Sequence, residues 1–288
     1  MTLSARGRRL LVGGLAAFGF VFAAQVVVGH GIQGEGGLGG IDAIAYWSAA
    51  GRAWRGESLY QPGSFVGAFA AYQYPPPFAQ LLAPFSILPL PAFVWAWRAV
   101  ELVCLRVAVG SWVRAGLALL LWPPVIAELD AGNIHVVMAA VVALAMRGFA
   151  ATVGPAFLMK FASWPLLPVG LVLDRSRTLV GAGIALGVVG ISWVLAPSVW
   201  QDYASLISTA KAPEGWYNVL EGIPVLLRLA VAGVLGLASV RYIRLAPIAV
   251  TLAYPVVWFH GLATLVAVAT VLPARTRTPR RDDLGDPG

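Results

Sequence analysis

The sequence predicts an all-α polytopic membrane protein, and three observations predict it. Only 11% of its 288 residues are charged while 59% are apolar, and the mean hydropathy is +0.79. Soluble globular chains carry about 25% charged residues, so this chain has too little polar surface to face water on all sides. Its apolar runs, such as 10–28, 92–103 and 179–195, approach or reach the ~17–25 residues that span a bilayer. They lack the period-two alternation of a membrane β-barrel. The arginines fall in small clusters between these runs, as topology signals do. A soluble enzyme, a secreted domain and a disordered chain are excluded. The net charge of +7 is spread over those clusters, so it is not the footprint of a nucleic-acid-binding protein. The single cysteine, Cys104, lies inside an apolar run and can form no internal disulfide.

Each element follows from the arginines. Arg6, Arg8 and Arg9 precede the run 10–28, as in a signal peptide, but the run is long and His30-Gly31 is a poor cleavage site. An uncleaved first helix leaving the cytoplasm is expected. Residues 29–78 form a first outer loop. Segment 92–109 returns to Arg106 and Arg114, and 115–129 goes out to the turn Asp130-Ala131-Gly132-Asn133-Ile134-His135. Segment 134–146 returns to Arg147. The run 149–173 is broken around Lys160, Trp164 and Pro165 into two short arms that end at Arg175 and Arg177. Segment 179–195 exits, 196–222 is a second outer loop, and 223–240 returns to Arg241 and Arg244. The run 245–272, broken at Tyr254-Pro255, forms an out-and-back pair. Most of the 20 basic residues then lie inside; the outer loops hold Arg52, Arg55 and Lys211. The expectation is about ten membrane segments in one domain, 1–272, with both termini cytoplasmic and a disordered cytoplasmic tail, 273–288.

This parity gathers the chemistry at the outer surface. All three histidines, His30, His135 and His260, fall there, with most of the acids. Asp42 follows a glycine-rich approach and opens a stretch, 43–55, with Tyr46, Trp47 and Trp54, which suits a helix lying flat at the interface. It is either the N-cap of that helix or a general base held at the membrane surface. Tyr72-Gln73-Tyr74-Pro75-Pro76-Pro77-Phe78 fixes an extended lead-in to a short apolar helix that dips into the outer leaflet. Lys160 is the one lysine inside an apolar run; it either snorkels or presents an ammonium to an anionic ligand such as a phosphate. Arg98 and Glu101 share a helix face, as a structural pair or as the lining of a cavity. Gly13-Gly14 suits close helix packing. No phosphate loop, dinucleotide fingerprint or zinc spacing is present.

The run Gly40-Ile41-Asp42 through Tyr46, Ala50, Gly56, Leu59 and Tyr60, then Tyr74-Pro75-Pro76-Pro77-Phe78 and Ala83-Pro84-Phe85, resembles glycosyltransferase family 87. These are polyprenyl-phosphate-mannose-dependent mannosyltransferases of the GT-C superfamily. Gly132-Asn133-Ile134-His135 is similar to the family's Gly-Asn/Gln-x-Asn turn. Lys160 with Trp164-Pro165 is similar to its lysine hairpin, and Tyr254-Pro255 through Trp258 and His260 to its late Ser-Pro-x-x-Trp-x-His turn. His135 stands where the family has Asn, and Tyr254 where it has Ser.

The resemblance implies a GT-C-like bundle with interfacial helices in its first outer loop. It implies transfer of mannose from a polyprenyl-phosphate donor to a glycan or glycolipid acceptor, with inversion, at the extracytoplasmic face of the cell membrane. Asp42 would be the catalytic base, with Lys160 and His260 on the donor phosphate. Tyr46, Trp47, Tyr74, Asn133, His135 and Trp258 are candidate substrate contacts. Such a donor needs no metal, and no cofactor is expected. A flippase of a lipid-linked sugar and a non-catalytic relative are the alternatives.

Overall fold

The computed structural model describes residues 4–32, 39–61, 71–208 and 218–270; the expected tail 273–288, with Glu35, Lys211 and Glu214, lies outside them. Every regular element among the described residues is helical. The order is α1 (Ala5–Ile32), α2 (Ile41–Trp54), α3 (Pro76–Leu82), α4 (Leu90–Val109), α5 (Trp112–Leu121), α6 (Pro123–Ala131) and α7 (His135–Met146). There follow α8 (Val153–Met159), α9 (Leu167–Leu173), α10 (Arg175–Leu195), α11 (Pro197–Ser208), α12 (Val225–Ala238) and α13 (Ala246–Leu252). Short 3₁₀ segments fill Ala83–Ile87, Ala150–Thr152, Phe161–Leu166, Ile243–Leu245 and His260–Ala269.

Prolines and glycines set the breaks. α3 starts on Pro76-Pro77, where the missing N–H groups cost nothing. The segment expected as one pass, 115–129, is two helices. Pro123 lacks the donor a continuing helix needs and bars its predecessor from helical geometry. Trp122 accordingly sits at φ −130°, ψ 83° between α5 and α6. The run 149–173 breaks at Lys160, extended at φ −158°, ψ 126°, and 245–272 breaks at Tyr254-Pro255, both where the sequence places them. The segment expected as the second outer loop, 196–222, contains a regular helix, α11.

α10 is the one helix among the described residues that is long and apolar enough to cross a bilayer alone. The pairs α4–α5, bent by 103°, and α6–α7, bent by 119°, pass together, and the other apolar helices are shorter. Leu186, Val194 and Leu195 of α10 and Leu226 of α12 are 71–81% exposed. Meanwhile Glu101, Glu128, His135 and Arg228 are buried. An apolar exterior, with charged side chains held inside an otherwise apolar core, is the pattern of a membrane protein, because lipid rather than water covers the outside.

The alanine-rich α7 is the central helix, packed against α4 and the 260–269 segment. Close helix packing occurs where α8 meets α10. A Cβ on Gly154 would overlap the Gly181 backbone, and one on Gly181 the Ala151 backbone. It does not occur at Gly13-Gly14, which face open space. The Arg98–Glu101 pair is not hydrogen-bonded: both Glu101 oxygens are buried without a hydrogen-bond partner, and Arg98 Nε donates to the Leu129 carbonyl at 3.3 Å.

Candidate active site

The site begins at two glycine turns. Gly40 is the N-cap of α2, at φ 77°. Its N–H donates to the Asp130 carbonyl at 2.6 Å, and a Cβ there would lie 2.9 Å from Val94. Gly132, at φ 67°, ends α6 and turns the chain into α7; a Cβ on it would meet that of Ala43 at 2.8 Å. The two turns therefore nest against each other and fix α2 on the α6–α7 corner.

The reading of Asp42 as N-cap is corrected by this geometry. Gly40 occupies the cap, no side chain caps the helix, and Asp42 lies in the first turn. Its carboxylate turns to Asn133 instead, whose Nδ2 donates to Oδ2 at 2.6 Å. The Asn133 amide is held from the other side. Its Oδ1 accepts from the Tyr74 hydroxyl at 2.8 Å and from the Ile134 N–H at 2.7 Å, and Tyr46 donates to the Tyr74 hydroxyl at 2.9 Å. With donors converging on Oδ1, Nδ2 must face Asp42. It also lies 3.3 Å from His260 Nε2.

Lys160 reaches the same place from the broken α8–α9 hairpin. Its Nζ lies 3.1 Å from His135 Nε2, 4.7 Å from the Tyr254 ring centre and 5.4 Å from that of Tyr74. No carboxylate among the described residues lies within ion-pairing distance of it.

A cavity of about 360 Å³ joins these groups. Asp42, Tyr74, Asn133, Lys160, Trp258 and His260 line it, with Gln73 and Asp130. Trp258 and His260 stack at 6.1 Å with their planes 7° apart. Arg228 supports that wall by donating to the carbonyls of Tyr254 and Pro255 at 2.8 and 2.7 Å, and Val219 N–H donates to the Val257 carbonyl at 2.9 Å. Three expected substrate contacts are not in the wall. Tyr46 and His135 are fully buried behind it, and Trp47 donates its indole N–H to the Leu88 carbonyl at 2.9 Å, tying α2 to the short helix after α3. Tyr46 is a core ring rather than an aromatic at headgroup depth. Glu57 is exposed and paired with Arg55 at 2.7 Å.

Withdrawal from bulk water raises the Asp42 carboxyl from 3.8 to about 7, against the opposing pull of the Asn133 hydrogen bond. A carboxylate of this basicity is matched to taking a proton near neutral pH.

The sequence reading missed Glu128. It treated this residue as one more acid at the outer edge. The turn at Gly132 folds it back so that its Oε2 lies 2.9 Å from His135 Nδ1. The only sequence signal was its position one side of a turn whose other side carries a histidine. Glu128, His135 and His260 each bring a metal-capable atom within 4.8 Å of one another. Both ring nitrogens of His135 are already engaged, one by Glu128 and one by Lys160, so a cation binding there would have to displace the ammonium.

A carboxylate raised toward neutrality and an ammonium with no carboxylate in ion-pairing distance among the described residues thus open into one small cavity. The chain belongs to glycosyltransferase family 87, whose profile matches residues 72–285. The match covers the Lys160, Asn133 and His260 segments and begins after α2, so the place of Asp42 rests on the geometry above. No curated protein and no solved structure matches the chain.

Proposed function

We propose that this glycosyltransferase moves mannose from a polyprenyl-phosphate donor to a glycan or glycolipid acceptor, at the extracytoplasmic end of about ten membrane segments. The observation that carries the reading is the shared cavity of Asp42 and Lys160. Asp42 takes the proton of the acceptor hydroxyl as its oxygen attacks the anomeric carbon. The bond from that carbon to the phosphate oxygen breaks, its electron pair leaves on the polyprenyl phosphate, and the configuration inverts. Lys160 stabilises the departing phosphate, with His260 beside it, while Trp258 offers a ring face to the sugar. The cavity is at the small end of ligand sites, which suits a monosaccharide headgroup with its lipid outside.

Transfer from labelled polyprenyl-phosphate-mannose by the purified protein tests this. Asp42→Asn keeps the hydrogen bond geometry but removes the proton acceptor. Turnover is expected to fall by roughly 10²–10⁴ with donor binding retained. Undiminished turnover in Asp42→Asn removes the base, and lipid-linked sugar crossing vesicles without transfer favours a flippase.

A further inference from the structure

We propose that Glu128 is a positioning residue: it sets the tautomer of His135, and His135 in turn holds Lys160 facing the cavity. The inference deepens the reading of Lys160 as the donor-phosphate cation and rests on it.

The Glu128 carboxylate has two separate tasks. Its Oε1 accepts from the backbone N–H of His135 and, at 3.3 Å, of Val136. These are free donors at the start of α7, so Oε1 caps that helix. Its Oε2 lies 2.9 Å from His135 Nδ1. A carboxylate only accepts, so Nδ1 carries the ring proton and Nε2 is left as a lone pair. That lone pair faces Lys160 Nζ at 3.1 Å, and the ammonium donates to it. The ring cannot turn away: Tyr254 packs on it edge-on at 4.7 Å, and the Tyr254 hydroxyl is hydrogen-bonded to Thr264 Oγ1 at 2.7 Å. Lys160 is thus held by one imidazole and two aromatic faces, with no carboxylate among the described residues in ion-pairing distance. An imidazole has nitrogens on two sides and can link Glu128 to Lys160, whereas an Asn amide is too short to reach both.

Glu128→Gln separates the two tasks. The amide oxygen keeps the cap, and the amide NH₂ faces Nδ1 and donates to it. The ring proton moves to Nε2 and points at the ammonium. In the full-length protein, the KM for polyprenyl-phosphate-mannose is expected to rise roughly 10–100-fold, the worth of a charge-assisted hydrogen bond, with acceptor KM unchanged. Nitrogen-15 spectra read the relay without substrate. Labelled histidine should show His135 protonated at Nδ1 in wild type and at Nε2 in the variant. The chain has two lysines, Lys160 and Lys211, so labelled lysine should show one ammonium signal shifting in the variant. Protonation of His135 at Nε2 in wild type, or an unmoved lysine signal in Glu128→Gln, overturns the relay. A reversed tautomer and a moved lysine with unchanged donor KM establish the relay and overturn the phosphate role of Lys160.

Discussion

The α6–α7 corner and the α8–α9 corner both interrupt an apolar run at the cavity, and they do so by opposite means. At the first, Gly132 takes a left-handed turn, and the polar groups beside it are held at every end: Asn133 by Asp42, Tyr74 and Ile134, and Glu128 by His135 and Val136. At the second there is no glycine. Lys160 is simply extended, its charge rests on rings, and the nearby Ser163 hydroxyl is buried with no hydrogen-bond partner. The first corner is a scaffold that aims Asp42. The second delivers one cation to the cavity, and on the proposed reading the donor phosphate meets its charge.

Four measurements would break or sharpen that contrast. The largest effect is expected from Asn133→Ala, which strips partners from the buried Tyr74 hydroxyl and the Ile134 N–H. Denaturant unfolding in detergent should show a loss of about 3 kcal/mol, since each buried group left unpaired costs roughly 1–3 kcal/mol, and turnover should fall with it. Lys160→Ala should instead spare stability and raise the donor KM roughly 10–100-fold, the worth of a charge-assisted hydrogen bond. A melting temperature lowered as far as in Asn133→Ala would make both corners scaffolds.

The pH dependence comes next. With Asp42 at about 7, wild-type turnover should fall about tenfold per unit as pH drops below 7 and level off above it. The sign for stability is opposite. The folded protein holds this proton more tightly than the unfolded chain, whose value is 3.8, so this group's favourable contribution is complete below 3.8 and is lost as pH rises toward 7. A flat profile from pH 5 to 8 would remove Asp42 from the rate-limiting proton transfer.

The smallest pair of effects compares the corners directly. Gly132→Ala forces a Cβ into a left-handed conformation against Ala43 and should cost about 1–2 kcal/mol. Ser163→Ala removes a hydroxyl that has no hydrogen-bond partner and should lie within about 0.5 kcal/mol of wild type.

Much of this layout was legible in the sequence, and the parts that were not share a cause. Lys160, Pro165 and Tyr254-Pro255 announce their breaks because a charge or a proline inside an apolar run is itself a local signal. Pro123 announced one equally, but a run of suitable length for a single pass masked it. The residues that share the cavity were recoverable from the order of motifs. Their detailed roles were not, because those depend on which side chains the turns bring face to face. Asp42 reads as a cap until Gly40 is seen in that place. Trp47 reads equally as a sugar platform or as a holder of the loop until its indole is found on Leu88. Glu128 reads as one more acid at the outer edge until Gly132 folds it onto His135. Gly154 and Gly181 lie in different helices, so no spacing along the chain connects them.

The near contact of Gly154 with Gly181 also bears on how the protein is made. A seven-residue helix such as α8 or α9 rises only about 10 Å, against the ~30 Å of a bilayer's hydrocarbon core. By length and apolarity α10 qualifies as a span by itself, and neither of these arms does. The wall they pack on is α10, with Gly154 set against the Gly181 backbone. On the proposed topology, the two arms that flank Lys160 therefore rest on a helix synthesised after them.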